Sequence, residues 1–68
     1  MKIIVNGNEK NMDEGADLID LLTQSKLNND KPGVAVAIND DVISTSEWEN
    51  IKLKQNDRIE IIRAVQGG

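Results

Sequence analysis

The sequence carries one sustained helical pattern. Leu18, Ile19, Leu21 and Leu22 fall at i, i+1, i+3 and i+4, which gathers them on a single apolar face. Asp17 stands where an N-cap is wanted, and Asp20 follows three residues later, where a carboxylate favours the positive end of a helix. The helix is therefore expected from about Leu18 to near Lys26, with Leu27 closing its apolar face. Everything else in the chain reads as short strands and turns. A lone helix can cover only one face of a sheet, so the expected fold is α+β, with one helix across one face and the other face left open.

The strands come from alternation and turn chemistry. Lys2-Ile3-Ile4-Val5-Asn6 is apolar and β-branched, and Asn6-Gly7 suits the positive φ angles of a tight hairpin, returning the chain through Asn8 to Met12. Asn28-Asn29-Asp30-Lys31-Pro32-Gly33 is a turn-rich loop. It leads into Val34-Ala35-Val36-Ala37-Ile38, with Val34, Val36 and Ile38 on one face and the two alanines on the other. Asn39-Asp40-Asp41 turns into a short strand at Val42-Ile43. Ser44 with Glu47, or Ser46 with Glu49, offers a capping box for a helical turn that holds Trp48, the only aromatic residue, expected to cover one edge of the core. Asn56-Asp57 is the last turn before a strand from Arg58 to Val65. Ile3, Val5, Leu18, Leu21, Leu22, Val36, Ile38, Ile59 and Ile61 are the expected core. Ile4, Ala35, Ala37, Ile62 and Ala64 fall on the open face, where an apolar patch near the end of the chain would make a docking surface.

Composition then narrows the function. At 68 residues the chain is one small domain with little room for an enclosed active site, so it is expected to be acted on by enzymes and not to be one. It has neither cysteine nor histidine, which removes thiolate chemistry and the usual side-chain acid-base and metal-binding group. The formal charge of −4 repels phosphate backbones and anionic membranes, so neither nucleic acid nor membrane is an expected partner. No signal-peptide pattern or long apolar run is present, which points to the cytoplasm.

What remains is the carboxyl terminus, Ala64-Val65-Gln66-Gly67-Gly68. Residues 1–63 read as the folded domain and 64–68 as a thin, mobile tail. A main-chain carboxylate is ionised at neutral pH and is a poor acyl donor until activated. Activation as an acyl-adenylate needs a partner enzyme that brings the α-phosphate of ATP against the carboxylate. Side chains on the last two residues would obstruct that approach, and glycine has none.

Six pieces in this order resemble a known family: Lys2-Ile3-Ile4-Val5-Asn6-Gly7, Gly15-Ala16-Asp17-Leu18-Ile19-Asp20-Leu21-Leu22, Ala35-Val36-Ala37-Ile38-Asn39, Glu47-Trp48, Asp57-Arg58-Ile59-Glu60-Ile61 and the terminal Gly67-Gly68. The strand order resembles the β-grasp fold of ubiquitin-like proteins, with a mixed sheet of four or five strands. The end resembles the ThiS sulfur carriers of thiamine biosynthesis. The resemblance implies that Gly68 is adenylated by a ThiF-like enzyme using ATP and becomes a thiocarboxylate. The sulfur, drawn from a donor such as a cysteine desulfurase system, is then passed to a ThiG-like thiazole synthase. Gln66 and Gly67 would give the tail access to the activating site, while Ile4, Ala37, Ile62 and Ala64 would bind partners. The free protein would be a monomer with no bound cofactor or metal. Asn56-Asp57 departs from the family's usual Gly-Asp, but asparagine tolerates the left-handed conformation best among residues with a side chain.

Other readings concern the same terminus. A small subunit of molybdopterin synthase would share the fold and the Gly-Gly end, a ubiquitin-like modifier would join Gly68 to an amine, and in a simple interaction module the tail would do nothing. Two charge clusters point less clearly to function. Asp13, Glu14, Asp17 and Asp20 lack the spacing of a calcium loop and read as a helix-start bias. Lys52, Lys54, Arg58 and Arg63 make the last segment basic, as a solvated strand edge or as a guide for an acidic partner.

Overall fold

A computed structural model describes residues 1–25 and 33–63. In chain order it contains β1 (Lys2–Val5), β2 (Asn8–Asn11), α1 (Leu18–Gln24), β3 (Val34–Ile38), β4 (Asp41–Ile43), a 3₁₀ helix (Thr45–Asn50) and β5 (Arg58–Arg63). Among the described residues these strands make one five-stranded sheet in the order β2-β1-β5-β3-β4. β1 and β5 run parallel and the other neighbours antiparallel, so the strand nearest the carboxyl terminus lies at the centre of a mixed sheet. This is the expected β-grasp architecture. Lys26, Leu27 and residues 28–32 lie outside the described residues, as do 64–68.

Both hairpins close through two-residue loops. Val5 pairs with Asn8 around Asn6 (φ 50°) and Gly7 (φ 84°), and Ile38 pairs with Asp41 around Asn39 (φ 51°) and Asp40 (φ 72°). Positive φ at both central positions is the signature of the turns whose twist matches paired strands. Asn56 also adopts the left-handed conformation, at φ 70°, so asparagine does serve where glycine was the usual choice.

Helix α1 begins with a reciprocal cap. The Asp17 carboxylate accepts from the Asp20 N–H at 2.9 Å, and the Asp20 carboxylate accepts from the Asp17 N–H at 3.1 Å. Two of the four acidic residues are thereby committed to starting the helix. The expected second capping box is not formed: Ser44 is the N-cap of the 3₁₀ helix without a side-chain cap bond, and its Oγ lies 3.2 Å from Ser46 Oγ.

The core lies between α1 and the sheet. Ile3, Leu18, Leu21, Leu22, Val36 and Ile59 are fully buried as expected, whereas Val5, Ile38 and Ile61 pack against the core from half-buried positions. Trp48, expected to cover one edge of the core, is itself enclosed in it, at 1% exposure. Its indole N–H donates to the Ile43 carbonyl at 3.2 Å, which satisfies the one polar group such a burial would otherwise strand. Met12, Ala16 and Leu53 are also buried. They come from segments without a clear period, held in place by backbone bonds from Leu18 N–H to Ile51 O and from Leu53 N–H to Ala16 O, each 3.0 Å.

Candidate functional site

The described residues among those expected to carry function lie along β5 and the sheet face turned away from α1. β5 is held on one flank by β3 through its whole described length, from Ile38↔Ile59 to Val34↔Arg63. On the other flank β1 supplies only Ile4↔Arg58 and Val5↔Ile59 before its chain turns back at Asn6. Asn6 makes up the difference with its side chain. Its Oδ1 accepts from the Ile61 N–H at 2.9 Å and its Nδ2 donates to the Ile61 carbonyl at 3.3 Å, so the amide stands in for the next peptide of a parallel strand. The sequence marks Asn6 only as a turn residue, and nothing local reveals this second use. Asn6→Gly keeps the left-handed turn and removes the amide. It should cost about 1–2 kcal/mol and speed hydrogen exchange at Ile61 selectively, as urea unfolding and residue-resolved exchange would show. Unchanged exchange at Ile61 would mean the clamp holds nothing.

The start of β5 is fixed by Asp57, a buried acid. Its carboxylate accepts from the Lys54 N–H at 2.8 Å and from Asn39 Nδ2 at 3.1 Å, while Asn39 Oδ1 accepts from the Arg58 N–H at 3.0 Å. The β3–β4 turn and the turn into β5 are thus tied together, which fixes the register of the strand that leads to the tail.

Cross-strand register identifies the open face. Ala35 sits beside Ile62, Ala37 beside Glu60, and Ile4 beside Arg58. Ile62 is 57% exposed, Ala35 is exposed, and Ile4 and Ala37 are half-buried. The structure therefore brings Ala35, Ala37 and Ile62 together. Ile4, level with Arg58, lies four residues back along the β5 axis from Ile62, roughly 13 Å at the usual strand rise, with Glu60 between. Val42 joins the face from the edge: it pairs with Ala37 and is 77% exposed. Its place could have been found from the two-residue Asn39-Asp40 loop, which sets that register. Ala64, Gln66, Gly67 and Gly68, all expected to take part, lie outside the described residues.

The charged candidates separate. Arg58 donates from Nη2 to Asp40 at 3.1 Å, and Lys2 lies 3.3 Å from Glu9, both as exposed pairs. Lys52 and Lys54 are exposed. Among the described residues no group of three or more acidic side chains is placed to hold a metal ion. No helix there is long and apolar enough to cross a membrane.

Comparison with known proteins supplies the remaining observation. The model of the ThiS family matches residues 3–68. The chain belongs to the ThiS family. A crystal structure of the thiamine biosynthesis protein ThiS from Geobacter metallireducens superposes with a TM-score of 0.80 at 26% identity, covering 100% of both chains. A solution structure of a thiamine biosynthesis protein from the same organism gives 0.79 at 26% identity, covering 100% of this chain and 88% of that one. No curated protein matches the sequence. The ThiS likeness extends over the whole β-grasp sheet and, in sequence, through Gly67-Gly68.

Proposed function

We propose that this chain is a sulfur carrier of thiamine biosynthesis whose transferable group is borne by Gly68. The observation that carries this reading is the ThiS family match, which runs through the terminal Gly67-Gly68 in a chain without cysteine or histidine. With no thiol to hold sulfur, the carboxyl terminus is the group suited to it. A Gly68 carboxylate oxygen displaces pyrophosphate from ATP on a ThiF-like enzyme, leaving a mixed anhydride with AMP. The terminal sulfur of a persulfide on a donor such as a cysteine desulfurase system attacks the acyl carbon and AMP departs. A second thiol then cleaves the resulting acyl disulfide, leaving with the donor's sulfur as a disulfide and freeing the acyl-bound sulfur. The resulting thiocarboxylate serves a ThiG-like thiazole synthase, because its sulfur is nucleophilic while its acyl carbon can be released. The folded domain contributes recognition, through the open face beside β5.

Incubating the chain with the ThiF-like enzyme of its own organism, ATP, cysteine and a desulfurase tests the reading by intact-mass spectrometry. Replacement of one oxygen by sulfur at the terminal peptide is the expected result. A conjugate to an amine would instead favour a ubiquitin-like modifier, and an unchanged mass would remove the carrier reading.

Docking on the open face has its own test. Ile62→Asp places a charge in the apolar patch while Ile59 and Ile61 keep their positions toward the core. The KM for the chain in ATP-pyrophosphate exchange should rise about tenfold or more, with the circular dichroism spectrum and melt unchanged. Equal KM values would move the docking surface elsewhere, and a lost melt would assign Ile62 a structural part.

A further inference from the structure

The open face has a depression of about 290 Å³ lined by Ile4, Asn6, Gly7, Arg58, Ile59 and Glu60. Its size lies at or below the lower end of the range for pockets that enclose small molecules, roughly 300–1,000 Å³, and suits a single inserted side chain. Its chemistry is lopsided. Arg58 is committed to Asp40 at 3.1 Å. Because Asp40 belongs to the β3–β4 turn, the guanidinium is drawn toward the β3 flank and away from β1. Lys2, the other cation of this face, is paired with Glu9 on β2 at 3.3 Å. Glu60 is exposed and has no ion-pair or side-chain hydrogen-bond partner among the described residues. It stands on β5 two residues from Ile62 and directly beside Ala37.

We infer that this depression is a socket for one arginine or lysine side chain of the activating enzyme. The aliphatic stem would lie on Ile4 and the charged head would meet the Glu60 carboxylate. Long cationic side chains bury their stems on apolar surface and keep their charge at a polar margin, which is the layout presented here. A carboxylate with no partner among the described residues, beside Ala37 and two residues from Ile62, gains most from a cation delivered by a surface that also excludes water. Ala37, Ala35, Ile62 and Val42 supply the apolar ground for that surface. The inference rests on the carrier reading above and names the chemistry of its partner.

ATP-pyrophosphate exchange by the ThiF-like enzyme of the same organism, measured against chain concentration at low and high NaCl, tests it. Glu60→Gln should raise KM about tenfold at low salt and flatten the salt dependence, leaving kcat at saturation and the melting temperature unchanged. Glu60→Arg should raise KM further. Glu47→Gln, which removes the same charge from the 3₁₀ helix, should behave as the parent and so exclude a net-charge effect. A Glu60→Gln chain with the parent's KM and salt slope overturns the socket while leaving the carrier reading intact. No exchange with the parent chain overturns both together.

Discussion

Deleting Gly67 and Gly68 is expected to abolish activation while leaving the melting temperature almost unchanged. The physical grounds are separate for the two halves of that result. Every described core residue lies at or before Ile61, and the last described strand pair is Val34↔Arg63, so the described core and sheet are complete before the deleted residues are reached. Removing terminal residues costs little when no burial or strand pairing goes with them. Activation depends on the opposite property. In the carrier reading the adenylating site must admit bare backbone. The truncated chain ends in Gln66, two residues short and bearing a side chain. A single alanine added after Gly68 should be equally inactive, with no residue missing and only the methyl group and displaced carboxylate to blame. ATP-pyrophosphate exchange with full-length, truncated and extended chains, alongside thermal melts, reads both halves. Similar exchange rates for all three would sink the carrier reading, and a large drop in melting temperature would show that the tail is structural.

The second large effect concerns folding. Leu22→Ala should destabilise the domain by about 2–5 kcal/mol. Leu22 is fully buried on α1 with Leu18 and Leu21, facing Ile3, Val36 and Ile59 across the core. A seven-residue helix has little stability of its own, so α1 exists because its apolar face is packed, and a cavity there weakens helix and core together. At 68 residues the whole domain has roughly 3–10 kcal/mol to lose. The variant is thus expected to be partly unfolded at ordinary temperature or close to it, and urea denaturation followed by circular dichroism measures the shift. Ile62→Ala, on the exposed face, should change stability by a few tenths of a kcal/mol and serves as the control. A Leu22→Ala curve that overlays the parent would put the helix on a different face.

These two results would also separate what belongs to the domain from what belongs to the tail. Asn6 and Asp57 hold the last described strand in place. Each uses side-chain hydrogen bonds to hold β5 where strand pairing runs out, Asn6 at Ile61 and Asp57 through Asn39 and the Lys54 N–H. The strand leading to the terminus is therefore fixed along its described length, and in the carrier reading the chemistry is confined to the residues beyond it. Glu60 and Ile62 sit on that same strand, so in the same reading recognition is only a few residues from the reacting group.

Much of this was legible in the sequence because it depends on local periodicity and backbone preference. Alternation in Val34–Ile38 and Arg58–Arg63 assigns faces whatever lies across the strand, since side chains alternate by geometry alone. The apolar spacing of α1, its Asp17 cap and the left-handed turns at Asn6-Gly7 and Asn56 are equally local. The Gly67-Gly68 end and the absence of cysteine and histidine frame the chemistry before any fold is known. Only the tertiary structure decided the rest. Trp48 was enclosed and Met12, Ala16 and Leu53 became core because a long-range fold closed over segments with no period of their own. Asn6 acquired its second use because Ile61, 55 residues away in sequence, came within hydrogen-bond reach. Val42 joined the open face, and Ile4 separated from Ile62, through strand register. Register, burial and partner choice are relations between distant residues, and no property of either residue alone contains them.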